Sequence, residues 1–186
     1  MDEVYEKSII LIGPSGAGKS TLADALSKRL NMPRISLDSV SKKFNYKDFV
    51  SGDVSYFEKR NIEMMKELLG HVVIPGICDF GAGHSVYQDN DNFQIVKDLL
   101  SPFANVILLL PSANTNESLD ILKSRGRSNT SENLMFLESD CNKELATAII
   151  YTDGKTVGET MDEIIEVTLR KQNNGNIRKQ NIFQLF

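Results

Sequence analysis

The sequence predicts a three-layer α/β/α domain built on a five-stranded parallel sheet. Short apolar runs alternate with amphipathic helical patterns along most of the chain, the signature of repeated βαβ units. Those runs are continuous rather than alternating in polarity, as strands covered on both faces require. At 186 residues the chain is long enough for one complete α/β domain with a real core, and too short for two.

The elements follow in order. SIILI (8–12) is the first strand. A helix starts near Lys19, with Leu22, Leu26 and Leu30 on one face, and ends before Pro33. RISLD (34–38) reads as strand two, and Ile62, Met65 and Leu69 stripe a helix that begins after Tyr56. HVVIPG (71–76) is expected as strand three, and Asp91 as the cap of a helix that stops before Pro102. NVILLL (105–110) is strand four. Asn114 and Glu117 have capping-box spacing before the helix through ESLDILKSR, and TAIIYT (147–152) is strand five. Thr156 and Glu159 repeat that spacing before a last helix whose buried side is expected at Val157, Met161, Ile165 and Leu169. The domain is expected over residues 1–170. Residues 171–186 turn polar and rich in Asn and Gln, reading as a mobile tail whose terminal IFQLF offers an apolar end for docking on the domain or a protein partner.

The charge balance bounds the partners. A net charge of −4 gives no global basic field for nucleic acid or anionic membrane. The acidic start MDEVYEK lacks the pattern of a secretion signal, and no apolar run approaches the length of a membrane span. A cytoplasmic location is the expectation. Two cysteines and two histidines without ligand spacing argue against a zinc site or a disulfide framework.

GPSGAGKST (13–21), directly after the first strand, fits the pattern G-x-x-x-x-G-K-[ST]. Glycines let the backbone curl so that successive N–H groups face a phosphate, and the next helix presents its free N–H groups to the same anion. Gly13, Ser15, Gly16, Ala17, Gly18, Lys19, Ser20 and Thr21 are therefore the expected nucleotide-binding residues. Lys19 would carry charge to the β- and γ-phosphates, and Ser20 would ligate Mg²⁺. This arrangement predicts a P-loop NTPase fold.

Several nucleotide-dependent activities are disfavoured. The guanine-reading N-K-x-D has no match, since NKEL (142–145) ends in Leu. Strand four ends in Pro111 and Ser112 rather than in the acidic pair of an ATPase motor. DFG (79–81) stands without the rest of the protein-kinase signature set.

A short domain with a phosphate loop, an aspartate ending strand two and late arginines suggests a small-molecule kinase. GPSGAGKSTLADALSKRLNMPRISLD resembles the opening of the shikimate kinase group, and ELATAIIYTDGKTVGETMDEII is similar to its last strand and helix. The resemblance spans roughly residues 8–169. It implies a nucleoside- or shikimate-kinase-like fold and ATP- and Mg²⁺-dependent phosphoryl transfer to a hydroxyl of a small molecule. It further implies Asp38 beside the acceptor hydroxyl and Arg125 at the lid edge near the nucleotide, with Arg127 making a similar claim. TDGKT (152–156), hence Asp153 and Lys155, would flank the base.

Two departures bear on the acceptor. The position of the group's substrate arginine falls at Glu58, with Arg60 nearby, and PGICDFGAGHSVY (75–87) replaces a glycine triplet. Shikimate is therefore not the expected acceptor. The candidate substrate-binding residues are Asp38, Arg60, Gly76, Asp79 and His84. Asp79 is also a candidate for holding magnesium, and Lys19, Asp38 and Arg125 are the candidate catalytic set. GRSNTSEN (126–133) is the expected lid. The alternative is an ATP-binding regulatory module, or a nucleotide hydrolase, without a small-molecule acceptor.

Overall fold

The computed structural model describes residues 2–37 and 54–183. Helix α1 (Asp2–Lys7) leads into strand β1 (Ile9–Ile12), which the phosphate loop joins to helix α2 (Lys19–Leu30). Strand β2 (Arg34–Ser36), helix α3 (Val54–Gly70) and strand β3 (Ile77–Asp79) follow. Then come a single 3₁₀ turn (Ala82–His84), helix α4 (Asn90–Leu100) and strand β4 (Asn105–Leu110). Helices α5 (Thr115–Ser124), α6 (Thr130–Glu138) and α7 (Asp140–Leu145) precede strand β5 (Ala148–Tyr151), and helix α8 runs Val157–Phe183, past residue 170.

The five strands pair in the order β2-β3-β1-β4-β5, all parallel. Successive side chains of a strand point to opposite faces, and β1 shows it. Ile10 and Ile12 join the core with Ile62, Met65 and Val96 of α3 and α4, whereas Ile9 and Leu11 pack with Leu22 and Leu26 of α2 and Ile164 of α8. The sheet is covered on both sides, giving the three layers. Cys78, central in β3 between β1 and β2, is fully buried. Among the described residues no helix is long and apolar enough to cross a membrane.

Four local expectations need correction. HVVIPG is not a strand: His71 closes the turn after α3, Val73 is 79% and Ile74 57% exposed, and β3 begins only at Ile77. Pro75 and Gly76 end the apolar run before any neighbour can pair with it. The cap of α4 is Asp89, whose carboxylate accepts from the Asn92 N–H at 2.9 Å, so Asp91 lies inside the first turn. The most deeply buried residues of α8 are Thr160, Ile164 and Thr168, one position off the expected stripe; Met161 and Ile165 still pack half-buried against the core, whereas Val157 and Leu169 are exposed. Threonine serves there because its methyl group packs while its hydroxyl returns to the helix, as in Thr160 Oγ1 donating to the Thr156 carbonyl at 3.0 Å. The expected lid is partly regular, since α6 starts at Thr130 and Asn133 is buried, its Nδ2 donating to the Arg127 carbonyl at 2.8 Å.

Other signals hold. Asn114 caps α5 by accepting from the N–H groups of Asn116 and Glu117. At α8 the box is reciprocal: the Glu159 N–H donates to Thr156 Oγ1 at 3.2 Å, and the Thr156 N–H donates to the Glu159 carboxylate at 2.8 Å. The Thr156 N–H and hydroxyl, both donating to it, hold the Glu159 carboxyl below its ordinary pKa.

Candidate functional site

Strand β1 ends at Ile12, and the next six residues wrap around the N-terminus of α2. Gly13 has φ +131° and lies so close to strand β4 that a Cβ would stand 2.3 Å from the Leu109 carbonyl oxygen. Only glycine fits there. Gly16 and Gly18 are also left-handed, at +84° and +93°, and Gly18 caps α2 without any side chain occupying its N-terminus. The helix thus presents backbone N–H groups and the positive end of its dipole to the crevice at the carboxyl ends of β1 and β3. Lys19 lies under this loop, with Nζ donating to the carbonyls of Gly13 at 2.8 Å and Pro14 at 2.9 Å.

Two cavities of about 290 Å³ each flank the loop. One is lined by Gly16, Thr21, Arg125, Thr152, Lys155 and Val157. The other is lined by Ser15, Lys19, Ser20, Asp79, Gly81 and Arg127. The C-terminus of α5 assigns one arginine to each. There the Gly126 N–H bonds the Lys123 carbonyl and the Arg127 N–H bonds the Leu122 carbonyl, with Gly126 at φ +80°, a Schellman turn. The reversal at Gly126 separates its neighbours. Arg125 donates to the Gly16 carbonyl at 3.1 Å on the first side, and Arg127 lies against Gly16 on the second, with Cγ 2.9 Å from where a Cβ would stand.

Asp79 ends β3, is 4% exposed, and accepts a hydrogen bond from Arg34 at 2.7 Å through Oδ2. Arg34 also holds Asp24 of α2 at 2.7 Å. Burial works against the Arg34 charge, yet the Asp79 and Asp24 carboxylates outweigh it and hold its pKa above the ordinary value. The guanidinium thus braces α2 against the strand that carries Asp79.

A third and larger cavity of about 500 Å³ shares Ser15, Gly81 and Ala82 with the one around Lys19 and Asp79. Phe57, Val86, Met135 and Phe136 give it apolar walls, and His84, Glu58 and Glu132 also line it. Glu58, 3% exposed, accepts from the Gln88 N–H and, at 2.9 Å, from Asn92 Nδ2. It thereby ties α3 to the segment entering α4. The side chain of Asn61, one turn further along α3, donates to the Gly83 carbonyl at 3.1 Å and fixes the 3₁₀ turn that holds His84.

The crevice therefore gathers Ser15, Gly16, Gly18, Lys19, Ser20, Thr21, Asp79 and His84, with Arg125 and Lys155 on the far flank. Asp38, with Lys42 and Lys43, lies outside the described residues. Three other expected residues line none of these cavities. Gly76 sits at the amino end of β3, against Pro33 and Ile35, because the strand starts later than expected. Arg60 lies two residues past Glu58 on α3 and lines none of the three cavities. Asp153 is exposed in the turn after β5, its N–H bound to the Pro111 carbonyl, and Thr152 lines the cavity instead. The wall residues Val86, Met135 and Phe136 belong to no motif, and Glu58 stands out in the sequence only as the residue at the position of the resembled group's substrate arginine. Among the described residues no group of three or more His, Cys, Asp or Glu gathers for a metal ion.

Known proteins agree with this geometry. A family model described as an AAA domain matches residues 9–75. A shikimate kinase of Francisella tularensis subsp. holarctica is 27% identical over 176 residues, covering 87% of this chain and 94% of that protein. Among solved structures, shikimate kinase from Acinetobacter baumannii in complex with shikimate superposes with a TM-score of 0.63 at 18% identity, covering 91% of this chain and 98% of that one. A gluconokinase from Sinorhizobium meliloti 1021 gives 0.58 at 15%, covering 94% and 98%. With its parallel sheet and its glycine-built loop, the chain is similar to the shikimate kinases in sequence and shares the P-loop kinase fold of these structures.

Proposed function

We propose that the protein transfers the terminal phosphoryl group of ATP, as its magnesium complex, to a hydroxyl of a small molecule. The observation that carries this reading is a row of three adjoining cavities that share lining residues. The cavity at Thr21 and Arg125 shares Gly16, Gly18 and Thr21 with the one at Lys19 and Asp79, which in turn shares Ser15, Gly81 and Ala82 with the large apolar one. Base, phosphates and acceptor would lie along it in that order.

The residues suit a magnesium nucleotide. A loop that admits no Cβ at Gly13, an uncapped helix N-terminus, and a hydroxyl and a carboxylate on one cavity wall form a cradle for a polyanion and its cation. When bound, ATP–Mg²⁺ supplies an electrophilic phosphorus and a stable leaving group. Lys19 and Arg127 would balance the charge spreading over the transferring oxygens, while Arg125 and Lys155 hold the nucleoside end. Ser20 would be a direct metal ligand, and Asp79 would hold metal-bound water. Asp38 would orient the acceptor hydroxyl and accept its proton. Catalysis of this kind is mostly positioning and electrostatics.

Incubation with γ-labelled ATP and a pool of cell metabolites tests the reading. Label on an organic product supports it. Tight magnesium-nucleotide binding with no transfer, or with label released only as inorganic phosphate, would replace the kinase with a nucleotide-binding module or a hydrolase.

A further inference from the structure

We propose that the phosphoryl acceptor is a hydroxylated organic cation, an amino alcohol with an apolar body, and not a hydroxy acid. The inference rests on the proposed transfer and adds the chemistry of the acceptor to it.

The large cavity has the volume of a small-molecule site and shares Ser15, Gly81 and Ala82 with the cavity holding Lys19 and Asp79. Its walls are made by Val54, Phe57, Val86, Met135 and Phe136. Its charged side chains, among the described residues, are Glu58 and Glu132. Among the described residues no lysine or arginine lines it.

Glu58 decides the sign. Its carboxylate is buried, and its two hydrogen-bond donors, the Gln88 N–H and the Asn92 amide, are both neutral. No ion pair to Glu58 occurs among the described residues. A buried charge held only by dipoles keeps a field that a counter-charge would relieve, and in low dielectric that attraction is far larger than in water. A ligand carboxylate would meet the same field as repulsion. A ligand ammonium on the Glu58 wall meets attraction, with the aromatic ring of Phe57 beside it as a further favourable surface for a cation. The apolar walls cover the remaining skeleton. The acceptor hydroxyl then faces Ser15, Gly81 and Ala82, the shared boundary with the phosphate cavity.

The step balances as an ordinary transfer. The acceptor oxygen forms a bond to the γ-phosphorus of ATP, the bond from that phosphorus to the bridging oxygen breaks, and ADP leaves with the electron pair. The hydroxyl proton passes to solvent water. The product is a phosphate monoester that still carries its ammonium group.

The test measures binding apart from turnover. Phenylalaninol, 2-methyl-3-phenylpropanol and phenyllactate share an aryl skeleton and differ in charge. Their affinities for the full-length protein with ADP–Mg²⁺ are read by ligand-observed NMR, and phosphorylation is followed in parallel with ATP. The amino alcohol should bind at least tenfold more tightly than the hydroxy acid, with the neutral alcohol between them. Glu58→Gln should shrink that ratio at least fivefold. If Glu58→Gln fails to melt cooperatively, Glu132→Gln at the exposed rim replaces it, with a two- to threefold reduction expected. Phenyllactate binding as tightly as phenylalaninol, no binding of phenylalaninol, or a preference unchanged in the folded variant would overturn the inference. Selective binding of the amino alcohol without any phosphorylated product would instead defeat the transfer reading and leave the cation site standing.

Discussion

The two ends of the crevice are built differently. The nucleotide end is made of backbone: a run of nine residues, 13–21, supplies a glycine-lined curl and a bare helix start, and two arginines from one turn complete it. The proposed acceptor end is made of side chains drawn from segments far apart in the chain, with Phe57 and Glu58, His84 and Val86, and Met135 and Phe136 meeting across one cavity. A backbone device needs glycine at fixed places and tolerates little change. A side-chain wall keeps its shape while its chemistry changes with single substitutions, so one fold can keep its donor and exchange its acceptor.

The largest break in this contrast should come from the backbone end. Gly13→Ala pushes a Cβ into the Leu109 carbonyl in a conformation alanine resists, costing about 2–4 kcal/mol in stability. Calorimetry should find magnesium-nucleotide binding lost in the same variant. Lys19→Ala should fold normally yet reduce transfer by about 10³-fold. Next, Asp38→Asn should lower kcat by about 10²-fold or more with nucleotide affinity unchanged. Equal turnover with the wild type would remove Asp38 from the mechanism.

The paired arginines sharpen the comparison further. Arg127→Ala should act on kcat, by about 10²-fold, and Arg125→Ala on the KM for nucleotide, by about tenfold, because they line different cavities. Identical effects on both parameters would mean that the Schellman turn does not divide their work. The smallest effect is remote from the chemistry. Thr156→Ala removes one half of the reciprocal cap of α8 and should cost about 1 kcal/mol in thermal unfolding, with transfer unchanged.

The same contrast explains what the sequence made legible. The phosphate loop, the cap at Asn114 and the box at Thr156 are local, so spacing alone reveals them. Strand β3 is three residues long, too short for a pattern, and the more convincing apolar run just before it is an exposed turn. The deepest stripe of α8 lies one position off its apolar pattern because two of its three members are threonines. Glu58 could not be assigned from neighbours in sequence, since its donors lie thirty or more residues away at Gln88 and Asn92. Sequence spacing reports what one segment does by itself, and the acceptor wall is made where segments meet.

Cys78 lies in the middle of β3, one residue before Asp79, and burial pushes its thiol up to about 12. Since the thiolate is the form that reacts, this sulfur is both un-ionised and out of reach while the strands stay together. Cys141, half-buried on α7, should therefore take up an alkylating reagent first. Slow labelling at Cys78, followed by mass spectrometry on the unaltered protein, then counts how often β3 separates from its neighbours. A bound nucleotide that braces the crevice floor would lengthen that interval.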